Sequence, residues 1–515
     1  MNEPQKKTGT VVLVGAGPGD VGLLTIRGKE WMERANVIVY DHLVNLNMMR
    51  FAKEGVEKIY AGKKEGHAIL KQDRINALLI EKAKEGKTVV RLKGGDPFIF
   101  ARGGEETHAL KQARIPFLVV PGITAPVGVS AYAGIPLTHR DLSSTISIIT
   151  GSNEKNKEDI HIDWEKIAAR SGTLVFLMGA RKLQKIAENL MKYGKNPDTP
   201  VAVIQWGTTA RQKTWTGTLD TIAEIPKKEQ IKPPALTIIG EVVTLKPETD
   251  WYELLPLFGR TVVVTRSDEQ SGEFIKLLED KGAEPFIFPV IQTVPPKDPA
   301  LLDQALENLT NYDGLIFTSV NGVRFFSKRL REKEKDIREL MGVKVYAIGP
   351  KTGQAVNDLG IRVDTIPEDF VAESLVKSLS QENVKGKKFL LPRAEVAREV
   401  LPEELKKMGA DVDVVPAYRT IAPEHKNEEL LHRLGEGTID VITFTSSSTV
   451  TNFLDLIGKE NHDLLKAVKI ACIGPITAKT AEDNGLIPHI LPQQFTIEAL
   501  VDAIEGYCSS EKKNQ

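Results

Sequence analysis

The stretch "RLKGGDPFIFARGGEE", residues 91–106, begins as a buried strand would and ends in a glycine-rich turn that carries an aspartate and several charges. A structural turn rarely needs the four glycines of this stretch. Glycine lets the backbone take up left-handed conformations and lets a ligand approach the main chain closely. The stretch therefore predicts a strand followed by a ligand-binding loop.

Similar apolar runs recur along the chain, and each ends in glycine, aspartate or another turn residue. They are "TVVLVGAG" (10–17), "ANVIVYD" (35–41), "FLVVPG" (117–122), "TLVFLMG" (173–179) and "PVAVIQWG" (200–207). Helix-like stretches separate them, a pattern typical of an α/β fold with ligand loops at the carboxyl ends of the strands. We expect these loops to form one pocket of backbone groups and small side chains. Such a lining suits a ligand with an adenosine and an amino-acid tail.

Length and composition indicate a soluble enzyme of several domains. The chain has 515 residues, with 68 Lys and Arg against 69 Asp and Glu, and this balance argues against a nucleic-acid partner. Two cysteines and nine scattered histidines, without an HExxH motif, predict neither a disulfide framework nor a metal site. No apolar signal core or membrane-length run occurs, so we expect a cytoplasmic protein with no membrane partner.

The first glycine-rich loop, "VGAGPGD" (14–20), does not match the common nucleotide motifs. The third glycine of GxGxxG would fall at Asp20, and the lysine of GxxxxGK is missing. A tight loop that lets a ligand reach the backbone remains, and an ordinary structural turn explains this single loop equally well.

A second series of strands begins at "RTVVVTRS", after a segment with two prolines and no periodicity. We predict a first domain at 8–246, a linker at 247–257 and a second domain at 258–510. The second domain contains a repeat, because "FTSVNGVRFF" at Phe317 returns as "FTSSSTVTNF" at Phe444, 127 residues later. The repeat predicts two α/β lobes, about 258–293 with 421–510 and about 294–420, with a ligand cleft between them.

The first half carries a family resemblance in "VVLVGAGPGDVGLLTIRG", "RLKGGDPFIFARGGEE" and "PGITAPVGVSAYAGIPLTHRD". These motifs closely resemble the uroporphyrinogen-III C-methyltransferases, which are tetrapyrrole methylases that use S-adenosylmethionine. The resemblance implies two α/β subdomains around a cleft, and a homodimer formed through this half. By motif, it implies donor contacts from Pro18, Gly94, Gly95, Asp96, Ile99, Thr124, Ala125, Met178 and Gly207.

The same resemblance implies catalytic residues. Asp41 matches the family's proton acceptor and Lys63 its proton donor, and a carboxylate is a suitable base after attack on a pyrrole carbon. A strand-end turn at Asp41 and a solvated lysine at position 63 are the competing explanations. Uroporphyrinogen carries eight carboxylates, so Arg102 and Arg140 are predicted to bind it. His139, Arg211 and Lys213 are weaker candidates, and surface salt bridges would explain any one of these residues.

The second half resembles uroporphyrinogen-III synthase over residues 258–507, in "GRTVVVTRS", "DGLIFTSVNGVRFF", "VYAIGPKTG" and "ITFTSSSTV". The resemblance implies closure of hydroxymethylbilane to a ring with the last pyrrole inverted. Tyr418 matches a tyrosine proposed to assist the leaving group, and a linker aromatic is the alternative. Substrate carboxylates are predicted to meet hydroxyls near helix N-termini, where N-capping competes as an explanation. These residues are Thr318, Ser319, Thr352, Ser446 and Thr477.

Together the two resemblances predict a bifunctional enzyme that makes uroporphyrinogen III and methylates it twice, through precorrin-1 to precorrin-2, toward siroheme or cobalamin. One alternative is a methylase that acts on a later corrin intermediate. Another is a second half that binds a ligand without catalysis. S-adenosylmethionine is the expected cofactor, with no metal.

Overall fold

The structure is a computed structural model that describes residues 8–62, 71–151, 162–229, 231–266, 268–367, 372–397, 399–421, 423 and 427–513. Within these ranges the strands form four five-stranded sheets, with helices packed against them. This arrangement confirms the predicted α/β class.

The first half contains two of the sheets. Its strands are β1 (Thr10–Gly15), β2 (Val37–Tyr40), β3 (Glu57–Tyr60), β4 (Thr88–Lys93), β5 (Phe117–Val120), β6 (Ile146–Thr150), β7 (Thr173–Leu177), β8 (Pro200–Gln205), β9 (Lys213–Thr218) and β10 (Ala235–Ile239). Its helices are α1 (Ile26–Arg34), α2 (Gln72–Lys84), α3 (Gly103–Gln112), α4 (Ala125–Tyr132), α5 (Trp164–Ala168), α6 (Leu183–Lys192), α7 (Ile225–Glu229) and α8 (Lys246–Thr249).

The first sheet is fully parallel, in the order β3-β2-β4-β1-β5. Alternate residues of β1 enter different cores, since Val12 packs on the side of α1 and Leu13 on the side of α2. A sheet that is covered on both faces needs continuous apolar strands, which explains the runs seen in the sequence. The carboxyl ends of β1, β2, β4 and β5 therefore meet at one edge.

The second sheet is mixed, in the order β6-β7-β10-β8-β9. Only the β6–β7 pair is parallel, and the pairs that involve β8, β9 and β10 are antiparallel. Its core joins Phe176 and Val203 to the apolar face of α6. The loops after β7 and β8 leave this sheet toward the first.

The second half contains the other two sheets. Its strands are β11 (Thr261–Val264), β12 (Glu284–Ile287), β13 (Gln292–Val294), β14 (Gly314–Phe317), β15 (Lys344–Ala347), β16 (Lys388–Ala394), β17 (Asp411–Ile421), β18 (Val441–Phe444), β19 (Lys469–Cys472) and β20 (Pro488–Ile490). Its helices are α9 (Asp268–Asp280), α10 (Ala300–Glu307), α11 (Val320–Glu332), α12 (Pro350–Asn357), α13 (Ala372–Ser380), α14 (Val400–Lys407), α15 (Glu428–Gly435), α16 (Ser447–Ile457), α17 (Pro475–Asp483) and α18 (Ile497–Lys513).

The two sheets of this half have matching parallel cores. One has the order β12-β11-β18-β19-β20, and the other has the order β13-β17-β16-β14-β15. Strand β13 pairs antiparallel with the end of β17, with Thr293 opposite Thr420. The chain thus passes between the sheets near these two segments. The residue numbers at which we end the domains and lobes stay predictions.

Candidate functional site

Three loops meet at the carboxyl edge of the first sheet. Gly17 and Gly95 exchange backbone hydrogen bonds of 3.2 and 2.8 Å. A Cβ on Gly122 would lie 2.3 Å from the Gly95 carbonyl oxygen, so a side chain at position 122 would collide with the loop after β4. Gly95 itself has a φ of +68°, which favours glycine. The glycines therefore let the three loops pack main chain against main chain at this edge.

Asp96 holds two of these loops together. Its carboxylate accepts hydrogen bonds from the Phe98 amide at 2.8 Å and from the Gly122 amide at 3.1 Å. Thr124 is the N-cap residue of α4, and Ala125 begins that helix beside Gly95. The predicted donor contacts after β4 and β5 are thus adjacent in space.

The second sheet brings Gly207 to the same place. A Cβ on Gly207 would lie 2.4 Å from Val129 of α4, so this loop packs directly on that helix. The neighbouring Thr208 accepts a hydrogen bond from the Asp20 amide at 3.1 Å, which joins it to the loop that contains Pro18. Met178 follows β7 with a left-handed backbone and a side chain that is 51% exposed. Ile99 is also exposed.

Asp41 ends β2 beside these loops and is held by a buried arginine. Arg91 donates to Asp41 Oδ1 at 2.6 Å, and its own side chain is 2% exposed. Behind it, the fully buried Glu106 accepts from Arg91 at 3.1 Å, from Lys93 at 2.9 Å and from Gln72 at 3.1 Å. A chain of alternating charges therefore runs from the core to Asp41.

The environment of this charge chain keeps Arg91 positive. Burial opposes its charge, but Asp41 and Glu106 outweigh burial and raise the pKa of Arg91. Burial and the nearby Arg91 instead lower the pKa of Lys93, with Glu106 opposing them. Our sequence reasoning missed Arg91, Lys93 and Glu106. The signal was present, because "TVVRLKGG" places two cations inside an otherwise apolar strand.

The remaining predicted residues of the first half are more dispersed. Lys63 lies outside the described residues. Arg102 has a left-handed backbone at the start of α3 and makes a two-point ion pair with Glu105, at 2.9 and 2.8 Å. Arg140 is exposed in the turn between α4 and β6. Arg211 lies over the ring of Trp206, 4.4 Å from its centroid.

In the second half, Tyr418 and Ser319 come together. Tyr418 lies on β17 and is 8% exposed, and its hydroxyl is 3.1 Å from the Ser319 hydroxyl. The ring stacks on Phe325, with centroids 5.6 Å apart. Ser319 caps α11 by accepting from the Gly322 amide. Tyr418 is therefore fixed at a helix N-terminus by residues far from it in sequence.

The predicted hydroxyls occupy matching places in the two lobes. Ser446 caps α16 and forms a capping box with Thr449, as Ser319 caps α11. Thr352 and Thr477 are both buried in the first turn of helices that follow a glycine, α12 and α17. Thr318 precedes Ser319 and is half-buried. Capping therefore accounts for the two serines, and it leaves a further role of these hydroxyls open to experiment.

Cations also lie near these helix ends. Arg393 is 8% exposed and donates to Glu399. Burial lowers the pKa of Arg266, and the negative charge of Glu273 opposes that shift. Lys351 is exposed and lies 3.8 Å from Glu273. The ion pair joins α12 to α9 and thus connects the two lobes.

In the described part of the chain, no helix is both long and apolar enough to cross a membrane. The same residues contain no group of three or more His, Cys, Asp or Glu side chains placed to hold a metal ion.

Each half matches a family model. The model described as Tetrapyrrole (Corrin/Porphyrin) Methylases matches residues 10–223, and that described as Uroporphyrinogen-III synthase HemD matches residues 272–502. The fold and the two matches define a tetrapyrrole methylase joined to a two-lobed synthase.

Known proteins are similar to this chain over all or part of its length. The porphyrin biosynthesis protein HemD of Ruminiclostridium josui is 36% identical over 496 residues, which are 96% of this chain and 97% of that protein. The uroporphyrinogen-III C-methyltransferase of Bacillus subtilis is 40% identical over 372 residues, 72% of this chain and 76% of that protein. A uroporphyrin-III C-methyltransferase from Thermus thermophilus, solved with S-adenyl homocysteine, is 39% identical, with a TM-score of 0.40 over 46% of this chain and 100% of that chain.

The chain belongs to the family of porphyrin biosynthesis proteins that join a tetrapyrrole methylase to a uroporphyrinogen-III synthase. It is an enzyme with a methyltransferase half and a synthase half, as the sequence predicted.

Proposed function

We propose that the second half converts hydroxymethylbilane to uroporphyrinogen III and that the first half methylates this product twice, through precorrin-1 to precorrin-2. The observation that carries the proposal is the meeting of Asp41 with the glycine-lined loops at one sheet edge. We also propose a homodimer through the first half, which sedimentation of the purified protein tests.

The glycine-lined edge is proposed to hold S-adenosylmethionine, because its loops of small residues lie at the carboxyl ends of parallel strands, where open α/β sheets bind ligands. When bound, this cofactor supplies a methyl group that is already activated, so positioning provides most of the rate. The proposed contacts are Pro18, Gly94, Gly95, Asp96, Ile99, Thr124, Ala125, Met178 and Gly207.

Asp41 is proposed as the base of the methylase. A pyrrole ring that has gained a methyl group carries positive charge, and losing a ring proton relieves it. Arg91 binds Oδ1 of Asp41 and so orients the carboxylate toward the edge. The carboxylate accepts the departing proton and releases it to water, which balances each methyl transfer. Lys63 is proposed as the proton donor that the resemblance implies. Arg102 and Arg140 are proposed to bind the substrate's carboxylates by two-point hydrogen bonds.

Tyr418 is proposed as the acid of the synthase. Its hydroxyl gives a proton to the departing hydroxyl group of the bilane, the C–O bond breaks, and water leaves. Ser319 fixes the direction of that hydroxyl at 3.1 Å. The cation that remains bonds to the last pyrrole, this pyrrole is inverted, and the proton lost on ring closure returns to the Tyr418 oxygen. Hydroxyls and amides at the starts of α11, α12, α16 and α17 are proposed to bind the acetates and propionates, through Thr318, Ser319, Thr352, Ser446 and Thr477.

Incubation of the purified chain with hydroxymethylbilane tests both activities. We expect isomer III without S-adenosylmethionine and a dimethylated product with it, identified by mass and isomer type. Isomer I alone would contradict the synthase and favour a second half that only binds. A methylase that leaves supplied uroporphyrinogen III unmethylated would contradict the first activity and favour a later corrin acceptor.

A further inference from the structure

We propose that the contact surface between the two halves supports the methyl-donor loop, so that a ligand on this loop stabilises the adjoining lobe of the second half. The donor loop is residues 17–20. The contact surface consists of Asn47, Arg50 and Arg211 on the first half, and Glu279, Glu284 and Pro285 on the second. The inference rests on the proposed function only in taking the donor loop as the ligand site.

Two asparagines link the donor loop to β12. Asn45 donates from Nδ2 to the Gly19 carbonyl oxygen at 2.9 Å, and its Oδ1 accepts from the Asn47 amide at 3.0 Å. Asn47 in turn donates to the Pro285 carbonyl oxygen at 3.0 Å. Only these two side chains separate the backbone of the donor loop from a strand of the synthase half.

A paired charge fixes the same region to α9. Arg50 donates to both carboxylate oxygens of Glu279 at 3.2 Å, and each side chain is less than one quarter exposed. Burial raises the pKa of Glu279, and Arg50 opposes that shift. Separating such a pair would leave a partly buried carboxylate without its cation, which is unfavourable. The pair therefore resists movement of α9 away from the first half.

The loop after β8 makes a second connection. Thr208 binds the Asp20 amide, and the Thr208 amide donates to Gln212 Oε1 at 2.8 Å. Arg211 lies between Thr208 and Gln212 in the sequence. Its Nε is 3.4 Å from Glu284 Oε2, at ion-pair distance but without hydrogen-bond alignment. The other carboxylate oxygen of Glu284 accepts from Arg433 at 3.1 Å.

The segment predicted as a linker makes the third connection. Tyr132 donates to Asp20 Oδ2 at 2.6 Å, and its ring packs on Tyr252, with centroids 4.6 Å apart. Tyr252 also contacts Phe258 at 5.3 Å. Burial, and then the charges of Asp20, Glu279 and Glu284, raise the pKa of Tyr252. One tyrosine thus lies where the donor loop, the linker and the second half meet.

Three routes therefore join one loop to the second half, and two of them share Asp20. A ligand that orders residues 17–20 also restrains Asn45 and Thr208, and their neighbours Asn47, Arg50 and Arg211 contact α9 and β12. Ordering that two sites share gives positive coupling between them, typically about 5- to 150-fold in an equilibrium constant. The synthase half of the same chain is therefore the structure that covers Asn47, Arg50 and Arg211.

Hydrogen exchange of the full chain, with and without saturating S-adenosylhomocysteine, tests the inference. We expect exchange in α9 and β12 to slow at least about fivefold, the lower end of such couplings. Peptides from β14 and β15, in the other lobe, serve as an internal reference and should change less than twofold. Calorimetry on the same sample reports whether the ligand binds.

Paired variants distinguish coupling from general stabilisation. Glu279→Gln should still bind S-adenosylhomocysteine but lose most of the slowing in α9, where Glu279 lies, and the exchanged pair Arg50→Glu with Glu279→Arg should restore it. Asp280→Asn is the control, because Asp280 pairs with Lys276 on its own helix. Binding without slower exchange in α9 and β12, or equal slowing in Glu279→Gln, overturns the coupling alone. Absence of binding to the native chain overturns the proposed donor site and the coupling with it.

Discussion

The two halves build their candidate sites from different materials. In the methylase half, the buried charge chain through Arg91 and Glu106 holds Asp41 beside glycine-rich loops. In the synthase half, Tyr418 and the helix-capping serines are neutral hydroxyls set at helix N-termini. The difference fits the proposed roles, because the proposed base Asp41 has a fixed charge partner, whereas ring closure of a reactive cation needs mainly directed hydrogen-bond donors.

Replacing the base should give the largest effect. Asp41→Asn keeps the shape but cannot accept a proton, so methyl transfer should fall about 10²- to 10⁴-fold. Formation of isomer III should not change, because the synthase half does not use Asp41. Single-turnover assays on supplied uroporphyrinogen III measure the first effect. Asp198→Asn, an exposed change in the same half, is the control. Equal rates in the two variants would show that Asp41 is a structural turn.

The buried charge chain predicts the next effect. Glu106→Gln removes the anion between Arg91 and Lys93 and leaves two buried cations, so the free energy of unfolding should fall by about 3–5 kcal/mol. The neighbouring Glu105→Gln weakens an exposed pair with Arg102 and should cost less than about 1 kcal/mol. Denaturant unfolding of both variants measures the comparison. A loss below about 1 kcal/mol in Glu106→Gln would mean that the charges are not coupled.

Removing the Tyr418 hydroxyl should give a smaller effect. Tyr418→Phe removes the hydroxyl that is bonded to Ser319, and formation of isomer III should slow about 10²-fold while methylation stays unchanged. Tyr346→Phe is a matched control, because it removes a tyrosine hydroxyl in the same lobe that binds Glu382 instead. Quenched-flow product analysis follows both variants. An equal slowing in the two would assign Tyr418 a packing role only.

A surface pair in the same lobe should give the smallest effect. Arg329 and then Lys333 lower the pKa of Asp303 to about 2, so the carboxylate stabilises the fold above its unfolded pKa of about 3.9. That stabilisation is lost as the pH falls from about 4 toward 2. Asp303→Asn should therefore lower stability at pH 6 by about 1 kcal/mol or less, and the gap should be roughly halved near pH 3 and close toward pH 2. Urea unfolding at both pH values measures it, with the exposed Asp455→Asn as the control. A gap that widens on acidification would contradict the assigned sign.

Sequence patterns predicted the strands and the glycine-rich turns that follow them, because apolar runs that end in glycine are local signals. They also placed Asp41 and Gly95 at strand ends. They could not pair Asp41 with Arg91, which lies 50 residues away, or Tyr418 with Ser319, which lies 99 residues away. Such pairs depend on the order of the strands in the sheet, and side-chain types alone do not determine that order.

The sequence by itself determined that the second half contains two similar α/β units, since the motif at Phe317 returns at Phe444. The predicted lobes, about 258–293 with 421–510 and about 294–420, already grouped these strands, and only the tertiary structure decided their order and register within each sheet. Strand β11 pairs with β18, and β16 pairs with β14, so each sheet combines strands from different parts of the repeat. The strands of the two units carry the same apolar pattern, and their local preferences are therefore equal. The alternatives are a sheet built within one unit and a sheet that combines strands of both units. The antiparallel pairing of β13 with β17 and the close packing of each sheet's helices select the combined sheets.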